Sequence, residues 1–225
     1  MKVFIGTSGW SYNWNKEKSL EWYINNSSLN AIELNMSFYR FPYPNMVKSW
    51  SEKGKKLAWI IKVHRSITHF KKLNRESYAL FEKFKNLFKP MDKLIHYYLL
   101  QLPPRFKDIE AVDKFIENCN DKKLCFEFRD SSLFNNDIIE WGKMKKILIA
   151  SIDAPDMPRT IMSNDIIYER IHGRTDWYSH DYKIKELSEI KDRIKEKDPK
   201  RVYIFFNNNH AMLENAKKMY NLFLE

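Results

Sequence analysis

Short apolar runs alternate along the chain with amphipathic stretches that have helical spacing. Eight of these runs are rich in β-branched and aromatic residues, and several are apolar on both faces, which is typical of buried parallel strands. The eight runs begin at Val3, Ala31, Ala58, Tyr97, Leu124, Ile147, Ile166 and Val202. Helical patterns cover residues 76–88, 109–119, 137–145, 184–195 and 211–223.

The order of these elements predicts an α/β fold of the (β/α)8, TIM-barrel-like class. Successive strands begin roughly 19 to 39 residues apart, which is the size of a βα unit. Eight such units predict a single-domain barrel over residues 1–225. The alternative is an open doubly wound sheet, which usually carries a G-x-G-x-x-G turn after its first strand. The first loop here, Gly6-Thr7-Ser8-Gly9-Trp10, lacks that spacing.

Polar residues end most of the predicted strands. Because side chains alternate between the two faces of a strand, residues two apart share a face. The pairs that share a face are Glu33 with Asn35, Lys62 with His64, Glu127 with Arg129, and Arg170 with His172, and other strands end at Gln101, Asp153 and Asn207. An inward-pointing set of this kind would meet at the C-terminal mouth, where barrel enzymes place their chemistry. Each residue taken alone fits a structural ion pair equally well, but the whole set favours a polar pocket.

Aromatic and basic residues follow the same strand ends. The aromatic residues are Trp10, Tyr12, Trp14, Phe38, Tyr39, Trp177 and Tyr178, and the arginines are Arg40, Arg129, Arg170 and Arg174. Aromatic rings in such loops either belong to the core or line a mouth and stack on sugars or bases. Guanidinium groups match the oxygens of phosphates and carboxylates, so the predicted ligand is an anion.

Composition narrows the class of protein further. The chain has 225 residues, 44% of them hydrophobic and 30% charged, which excludes a disordered chain and a collagen. Its net charge of +10 permits a nucleic-acid or other anionic partner, although a lysine-rich solvated surface gives the same value. Cys119, Cys125 and the six histidines lack the spacing of a zinc site or a disulfide framework. No apolar run approaches the roughly 18 residues of a membrane span, and no signal peptide is apparent, so we expect a cytoplasmic protein that does not bind membranes.

Several motifs together resemble those of the YecE-like family, a family of unknown function. They are Gly6-Thr7-Ser8-Gly9-Trp10-Ser11-Tyr12, Ile32-Glu33-Leu34-Asn35-Met36-Ser37-Phe38-Tyr39-Arg40, Lys62-Val63 through Ile67-Thr68-His69, Leu100-Gln101-Leu102-Pro103-Pro104, Phe126-Glu127-Phe128-Arg129, Arg170-Ile171-His172-Gly173 and Phe206-Asn207-Asn208. The resemblance covers the chain from end to end and implies a TIM barrel, but no established reaction or catalytic residue. Where the family usually has a Trp after the Glu-x-Arg motif, this chain has Ser132-Leu133-Phe134, so we expect one aromatic wall of the pocket to be displaced or missing.

The first functional hypothesis is an enzyme that acts on a small anionic substrate, either phosphorylated or sugar-like. Lys62 or His172 would be the general acid or base, with Glu127 or Glu33 as the partner carboxylate. The residues expected to bind the substrate are Arg129, Arg170, Asn35, Tyr39, Arg40, Gln101, Asn207, Trp10 and His69. Hydrolase, lyase and isomerase chemistry all stay open.

Three further hypotheses use the same residues. A nucleic-acid-binding or metal-dependent phosphodiesterase-like protein would need ligands from Glu33, His64, Glu127, Asp153 and His172. Cations at Lys62, Arg129 and Arg170 interrupt that set, so we expect no metal and no cofactor. The next hypothesis is a non-catalytic anion-binding protein, and the last is a glycosidase that uses Glu33 and Glu127. The sequence does not fix the oligomeric state.

Overall fold

The structure is a computed structural model that describes residues 1–163 and 165–224. Its strands are β1 (Lys2–Ser8), β2 (Ala31–Leu34), β3 (Ala58–Lys62), β4 (Ile95–Gln101), β5 (Leu124–Glu127), β6 (Leu148–Ile149), β7 (Ser151–Asp153), β8 (Ile166–Ile171) and β9 (Arg201–Phe206). Its helices are α1 (Leu20–Asn26), α2 (Pro44–Lys53), α3 (Arg75–Leu87), α4 (Ile109–Cys119), α5 (Asn136–Lys145), α6 (Ile184–Lys195) and α7 (Met212–Leu224). No helix in these two ranges is long and apolar enough to cross a membrane.

All strand pairs are parallel, and the sheet closes on itself. The strand order is β6-β5-β4-β3-β2-β1-β9-β8-β7. β6 and β7 are separated by Ala150 alone, so they are two parts of the sixth predicted strand. One part pairs with β5 and the other with β8, and the backbone amide of Ala150 donates to the carbonyl of Phe126 at 2.8 Å. The TIM-barrel-like α/β prediction is confirmed, and the open-sheet alternative is wrong.

The helices agree with the sequence pattern at five places and differ at three. The five predicted helices are present within one residue of their expected bounds. Two further helices were missed. In α1, Ser19 caps the first turn by accepting from the amide of Trp22, and α2 starts at Pro44. The described residues between β7 and β8 form no helix, so the expected eighth helix is absent there. Pro155 and Pro158 remove backbone donors from this segment, which disfavours a helix.

The barrel interior is apolar along most of its length and polar at the C-terminal ends of the strands, where the polar side chains form a layer. One cluster of buried side chains lies on a single face of the strands and includes Ile60, Leu99, Tyr203 and Phe205, with the half-buried Phe4 packed against it. A larger cluster fills the space between the sheet and the helices. Because strand side chains alternate, residues two positions after the interior residues also point inward, closer to the C-terminal end. Apolar side chains therefore fill the N-terminal part of the interior, and polar side chains fill the part at the C-terminal ends of the strands.

Candidate functional site

The polar layer at the C-terminal end comes from seven strands. Each member follows an interior apolar residue in the sequence by two positions, or by four for Ser8 and His172. The members are Ser8, Glu33, Lys62, Gln101, Glu127, Arg170, His172 and Asn207, and all except the half-buried Asn207 are buried. The structure thus brings Glu33, Lys62, Gln101, Glu127, Arg170 and Asn207 to one end of the barrel interior.

Arg170 lies at the centre of this layer and is fully buried. Its Nε donates to Oε2 of Glu33 at 2.9 Å, and its Nη2 also donates to that carboxylate. Its Nη1 donates to Oε2 of Glu127 at 2.5 Å and lies 3.3 Å from Nε2 of His172. The remaining Nη2 hydrogen faces Oγ of Ser8 at 3.5 Å. Because protein atoms take every donor, the interpretation of Arg170 as a direct anion ligand does not fit this geometry.

The two carboxylates that Arg170 joins have further partners. Glu33 accepts from the hydroxyls of Ser8 at 2.5 Å and Tyr168 at 2.8 Å. Glu127 accepts from Nε2 of Gln101 at 2.8 Å and from Nε of Arg129. Burial alone would raise the pKa of Glu127, but the charges of Arg129 and Arg170 hold it well below its usual range. Glu127 therefore stays ionised and does not suit the role of a proton donor.

Ser8 and Tyr168 were not among the predicted site residues, although strand alternation carries a signal for both. Tyr168 precedes Arg170 by two positions and therefore shares its face. Ser8 ends β1 in register with Glu33 of β2. Both hydroxyls stabilise a buried carboxylate, which is a structural contribution to the site.

Lys62 has different surroundings from the two arginines. Its side chain is buried, and its Nζ donates to Oδ1 of Asn35 at 3.1 Å and lies 4.2 Å from the ring centre of Phe38. Among the described residues, no carboxylate lies within ion-pair distance of this amine. Burial and the charge of Arg170 lower the pKa of Lys62 to about 7, although Glu127 and Glu33 oppose the shift. The amine is therefore about half protonated near neutral pH.

Two histidines are neutral, His172 within this layer and His69 beside it. Nε2 of His172 lies 3.2 Å from Nη2 of Arg129, and its Nδ1 lies 3.4 Å from Nδ2 of Asn207. Burial, Arg129 and Arg170 hold the pKa of His172 well below its usual range, so the ring stays neutral and its Nε2 accepts from Arg129. His69 packs edge-on against Phe38, and burial together with the charges of Lys62 and Arg129 lowers the pKa of His69 to about 4.

His64 does not accompany Lys62, contrary to the prediction from alternation. The strand ends at Lys62, and the chain then enters a π-helical turn over Ser66–Phe70. The Nδ1 of His64 accepts from the amide of Ser66, and its ring packs edge-on against Phe41.

Arg129 lies beside an open cavity, unlike the fully buried Arg170. Its Nε and Nη2 contact Glu127 and His172, but Nη1 has no partner among residues 1–163 and 165–224. The ring of Trp177 lies 4.6 Å from its Cζ. A cavity of about 470 Å³ is lined by Pro104, Arg105, Arg129, Asp130, Ser131, Asp156, Met157, Trp177 and Tyr178. Trp177 thus supplies an aromatic wall, whereas Leu133 and Phe134 are buried in the core.

A second cavity of about 310 Å³ lies beside β1 and β2. Its lining includes four of the predicted binding residues, which are Trp10, Asn35, Tyr39 and Arg40. Trp10 also packs edge-on against Trp50 and Trp59, so part of its ring belongs to the outer core. Tyr39 and Arg40 are exposed at the rim.

Comparison with known proteins identifies the family. The family described as "Protein of unknown function DUF72" matches residues 4–225. The chain belongs to the DUF72 family. The YecE-like family that the motifs resemble is this same family. No curated protein matches the DUF72 chain.

Solved DUF72 structures share the fold. A DUF72 family protein from Enterococcus faecalis superposes with a TM-score of 0.86 at 17% identity, over 99% of this chain and 96% of that chain. A DUF72 family protein from Thermotoga maritima gives a TM-score of 0.86 at 23% identity, over the full length of both chains. At these identities the likeness shows the barrel alone.

Two acidic residues of this DUF72 protein lie outside the site. Asp153 faces the helix layer, where it accepts from the hydroxyl of Tyr182 at 2.7 Å and from Nε of Arg174 at 3.2 Å. Glu169 pairs with Arg193 at 2.8 Å. Glu169 therefore does not orient Arg170, because neighbouring strand residues point to opposite faces.

This arrangement separates the residues that the metal hypothesis names as ligands. Asp153 and His64 lie away from the polar layer, and Arg170 lies between the carboxylates of Glu33 and Glu127. Within the described part of the chain, no three His, Cys, Asp or Glu side chains group as metal ligands.

Gly173 has a local explanation that involves no ligand. Its φ is +125°, and a Cβ there would lie 2.3 Å from the carbonyl oxygen of Asp176. The turn of the loop after β8 therefore requires glycine at this position.

Proposed function

We propose that this DUF72 protein is an enzyme that acts on a small anionic substrate at the C-terminal mouth of its barrel, with Lys62 as the group that transfers a proton. The observation that carries the proposal is the Lys62 amine, which is buried without a carboxylate partner among the described residues. A proton-transfer group works best when its pKa is near the working pH, and burial with Arg170 sets the pKa of Lys62 to about 7.

Charge balance supports an anionic substrate. The positive charges of Arg129 and Arg170 cancel the negative charges of Glu33 and Glu127. Protonation of Lys62 then leaves one uncompensated positive charge in a buried site. A bound anion would compensate it, and Nη1 of Arg129, which has no partner among the described residues, would donate to such a group.

Three polar residues of the site would position the charged groups. His172 and Gln101 hold Arg129 and Glu127 in position, while Asn35 orients the Lys62 amine. Hydrolase, lyase and isomerase chemistry can each use a lysine of this kind.

A cytoplasmic location is also part of the proposal, and the free thiols of Cys119 and Cys125 fit a reducing compartment.

Calorimetric titration with inorganic phosphate and with glycerol 3-phosphate tests the anion site. We expect Arg129→Met to weaken binding by roughly tenfold or more, because one charge-assisted contact is lost. Arg201→Met is the matched control, since Arg201 is exposed at the opposite end of the barrel. Equal binding by both variants would contradict the proposal. Turnover assays with phosphorylated and carboxylated compounds then distinguish an enzyme from a non-catalytic anion-binding protein.

Exposed aromatic side chains favour nucleic acid as a second candidate. Tyr39 is 58% and Phe70 69% exposed, and the Cζ of Arg65 lies 5.8 Å and 5.5 Å from their ring centres. Such a strip resembles a stacking surface for single-stranded bases. Fluorescence anisotropy with a labelled single-stranded oligonucleotide tests this candidate. Phe70→Ser should weaken binding, and Met144→Ser, at an exposed apolar position on α5, should not.

A further inference from the structure

The carboxylates of the polar layer leave the Lys62 amine without a counter-ion. Both oxygens of Glu33 accept from Arg170, with Ser8 and Tyr168 as further donors. Both oxygens of Glu127 are likewise taken by Arg170, Arg129 and Gln101. An amine in such a site readily loses its proton and presents a lone pair, which is the property of a nucleophilic lysine.

We propose that Nζ of Lys62 is a nucleophile that forms a Schiff base with an aldehyde or ketone carrying a phosphate or carboxylate group. The inference rests on the proposed function, because it places the anionic group of the substrate at Arg129. It goes further by naming the reacting group of the substrate and the covalent bond to the protein.

The step balances without an additional reactant. Nζ of the neutral amine attacks the carbonyl carbon, the N–C bond forms, and one Nζ proton passes to the carbonyl oxygen to give a carbinolamine. The C–O bond then breaks, and the oxygen leaves as water with the second Nζ proton. The product is an imine, and no group is oxidised or reduced.

The surroundings of Nζ suit both the amine and the product. Oδ1 of Asn35 accepts one N–H at 3.1 Å and thereby directs the amine. The ring of Phe38, 4.2 Å away, excludes water from one side and stabilises the cation of a protonated imine through its π face. His69 packs on the same ring and is neutral, so it adds no competing charge.

Lys62 also differs from surface lysines in the fraction of its amine that is unprotonated and therefore nucleophilic. With a pKa of about 7, about half of its amine is unprotonated at pH 7, whereas an ordinary lysine side chain is unprotonated at about one part in 2,500. The low basicity of the amine offsets part of this difference, so we expect labelling of Lys62 to exceed that of an exposed lysine by roughly tenfold or more.

Reductive trapping tests the inference. The protein is incubated at pH 7 with dihydroxyacetone phosphate or, in a parallel arm, with glyoxylate, and sodium cyanoborohydride reduces any imine. Peptide mass spectrometry then locates the label. We expect Lys62 to be labelled at least roughly tenfold more than Lys200, whose side chain is 79% exposed. Because an aldehyde labels every lysine more readily than a ketone does, the arms are compared by the ratio of label at Lys62 to label at Lys200, and the arm with the larger ratio identifies phosphate or carboxylate as the anionic group.

Two controls define the site. Hydroxyacetone has the same carbonyl group without the phosphate, and it should label Lys62 less than dihydroxyacetone phosphate does. Lys62→Arg keeps a positive charge without a reactive amine and should remove the label. Because mapping on the unmodified protein already locates the label, the test does not depend on the folding of this variant.

The outcomes separate this inference from the proposed function. Label spread over exposed lysines without enrichment at Lys62 overturns the Schiff base, and equal labelling by hydroxyacetone overturns the anionic substrate class. If phosphate still binds in an Arg129-dependent manner while Lys62 stays unlabelled, only the Schiff base fails and proton transfer by Lys62 stands. If neither binding nor labelling occurs, both proposals fail.

Discussion

Arg170 and Glu127 form an ion pair that protein atoms enclose on all sides, with Nη1 2.5 Å from Oε2. The same guanidinium contacts Glu33, so one side chain joins β8 to β5 and to β2 across the barrel interior. A buried charge that loses its partner is costly, which makes this bridge a structural element of the C-terminal mouth.

Replacement of Arg170 should therefore destabilise the fold. Arg170→Met leaves Glu33 without a cationic partner and Glu127 with Arg129 alone, and we expect a loss of about 3 kcal/mol in the free energy of unfolding at pH 7. Urea denaturation followed by circular dichroism measures it. Arg201→Met, at an exposed position, should change this free energy by less than about 0.5 kcal/mol. A loss for Arg170→Met no larger than that of the control would contradict the structural role.

The hydroxyl of Tyr168 should contribute a measurable part of this stability. Tyr168→Phe removes the donor that lies 2.8 Å from the buried Glu33 carboxylate, and a hydrogen bond to a charged group contributes about 1.5–3 kcal/mol. Tyr203→Phe is the matched control, because its hydroxyl contacts the ring nitrogen of His96 and, within residues 1–163 and 165–224, no carboxylate. We expect a larger loss for Tyr168→Phe in urea denaturation. An equal or smaller loss would show that Glu33 is satisfied without Tyr168.

Strand alternation predicted the polar layer because the sequence carries that information locally. Glu33, Lys62, Glu127 and Arg170 each follow a buried apolar residue by two positions, so a regular strand directs all four inward. By the same rule Glu169, which is adjacent to Arg170, faces the helix layer and pairs there with Arg193.

Other features depend on partners that the sequence does not reveal. Nothing around Lys62 in the sequence indicates that Arg170 and Arg129 occupy both carboxylates and leave the amine unpaired. The division of anion-binding roles between the two arginines likewise depends on burial, which leaves only Arg129 beside a cavity. The short α1 lacks a long amphipathic pattern, so its cap at Ser19 was the only local indication.

Acid should weaken the fold in two separate pH ranges. Burial, with Arg129 and Arg170, holds the pKa of His172 well below its usual range, so the unfolded chain takes up a proton below about pH 6.5 while the folded chain does not. Stability should therefore fall as the pH decreases from about 6.5 to 5. The lowered pKa of Glu127 acts only further down, because its stabilisation is lost below the unfolded value of about 4.3.

The variant His172→Gln isolates the first range. The groups that face His172 are Arg129, Arg170, Glu127, Lys62 and the amide of Asn207, with the rings of Trp177 and Tyr178. In this variant the free energy of unfolding, measured by urea denaturation at several pH values, should depend less steeply on pH between 6.5 and 5. The slope should decrease by up to about the value that corresponds to one bound proton. The remaining dependence belongs to His69, His64 and His96, whose pKa values burial also lowers. An unchanged slope would mean that His172 takes up its proton in the folded protein at the same pH as in the unfolded chain.

We expect Lys62 to destabilise the folded protein at neutral pH. Burial and Arg170 lower the pKa of Lys62 to about 7, with Arg129 acting in the same direction and Glu127 and Glu33 opposing it. The unfolded chain holds this proton up to about pH 10.4. Between about pH 7 and pH 10 the unfolded state therefore binds more protons, and the contribution of Lys62 makes stability rise with pH over that range.

Lys62→Met should remove both the cost and the pH dependence. We expect the variant to be more stable than the parent by about 2 kcal/mol at pH 7, with a shallower rise of stability towards pH 10. Lys123→Met is the control, because Lys123 pairs with Asp92 at 2.8 Å near the surface and its loss should be nearly neutral. A buried lysine that destabilises its own fold is what a functional group requires, since a structural one would be stabilised by a counter-ion. If urea denaturation instead finds Lys62→Met less stable than the parent at pH 7, the amine holds the mouth together, and its assignment to chemistry loses its physical basis.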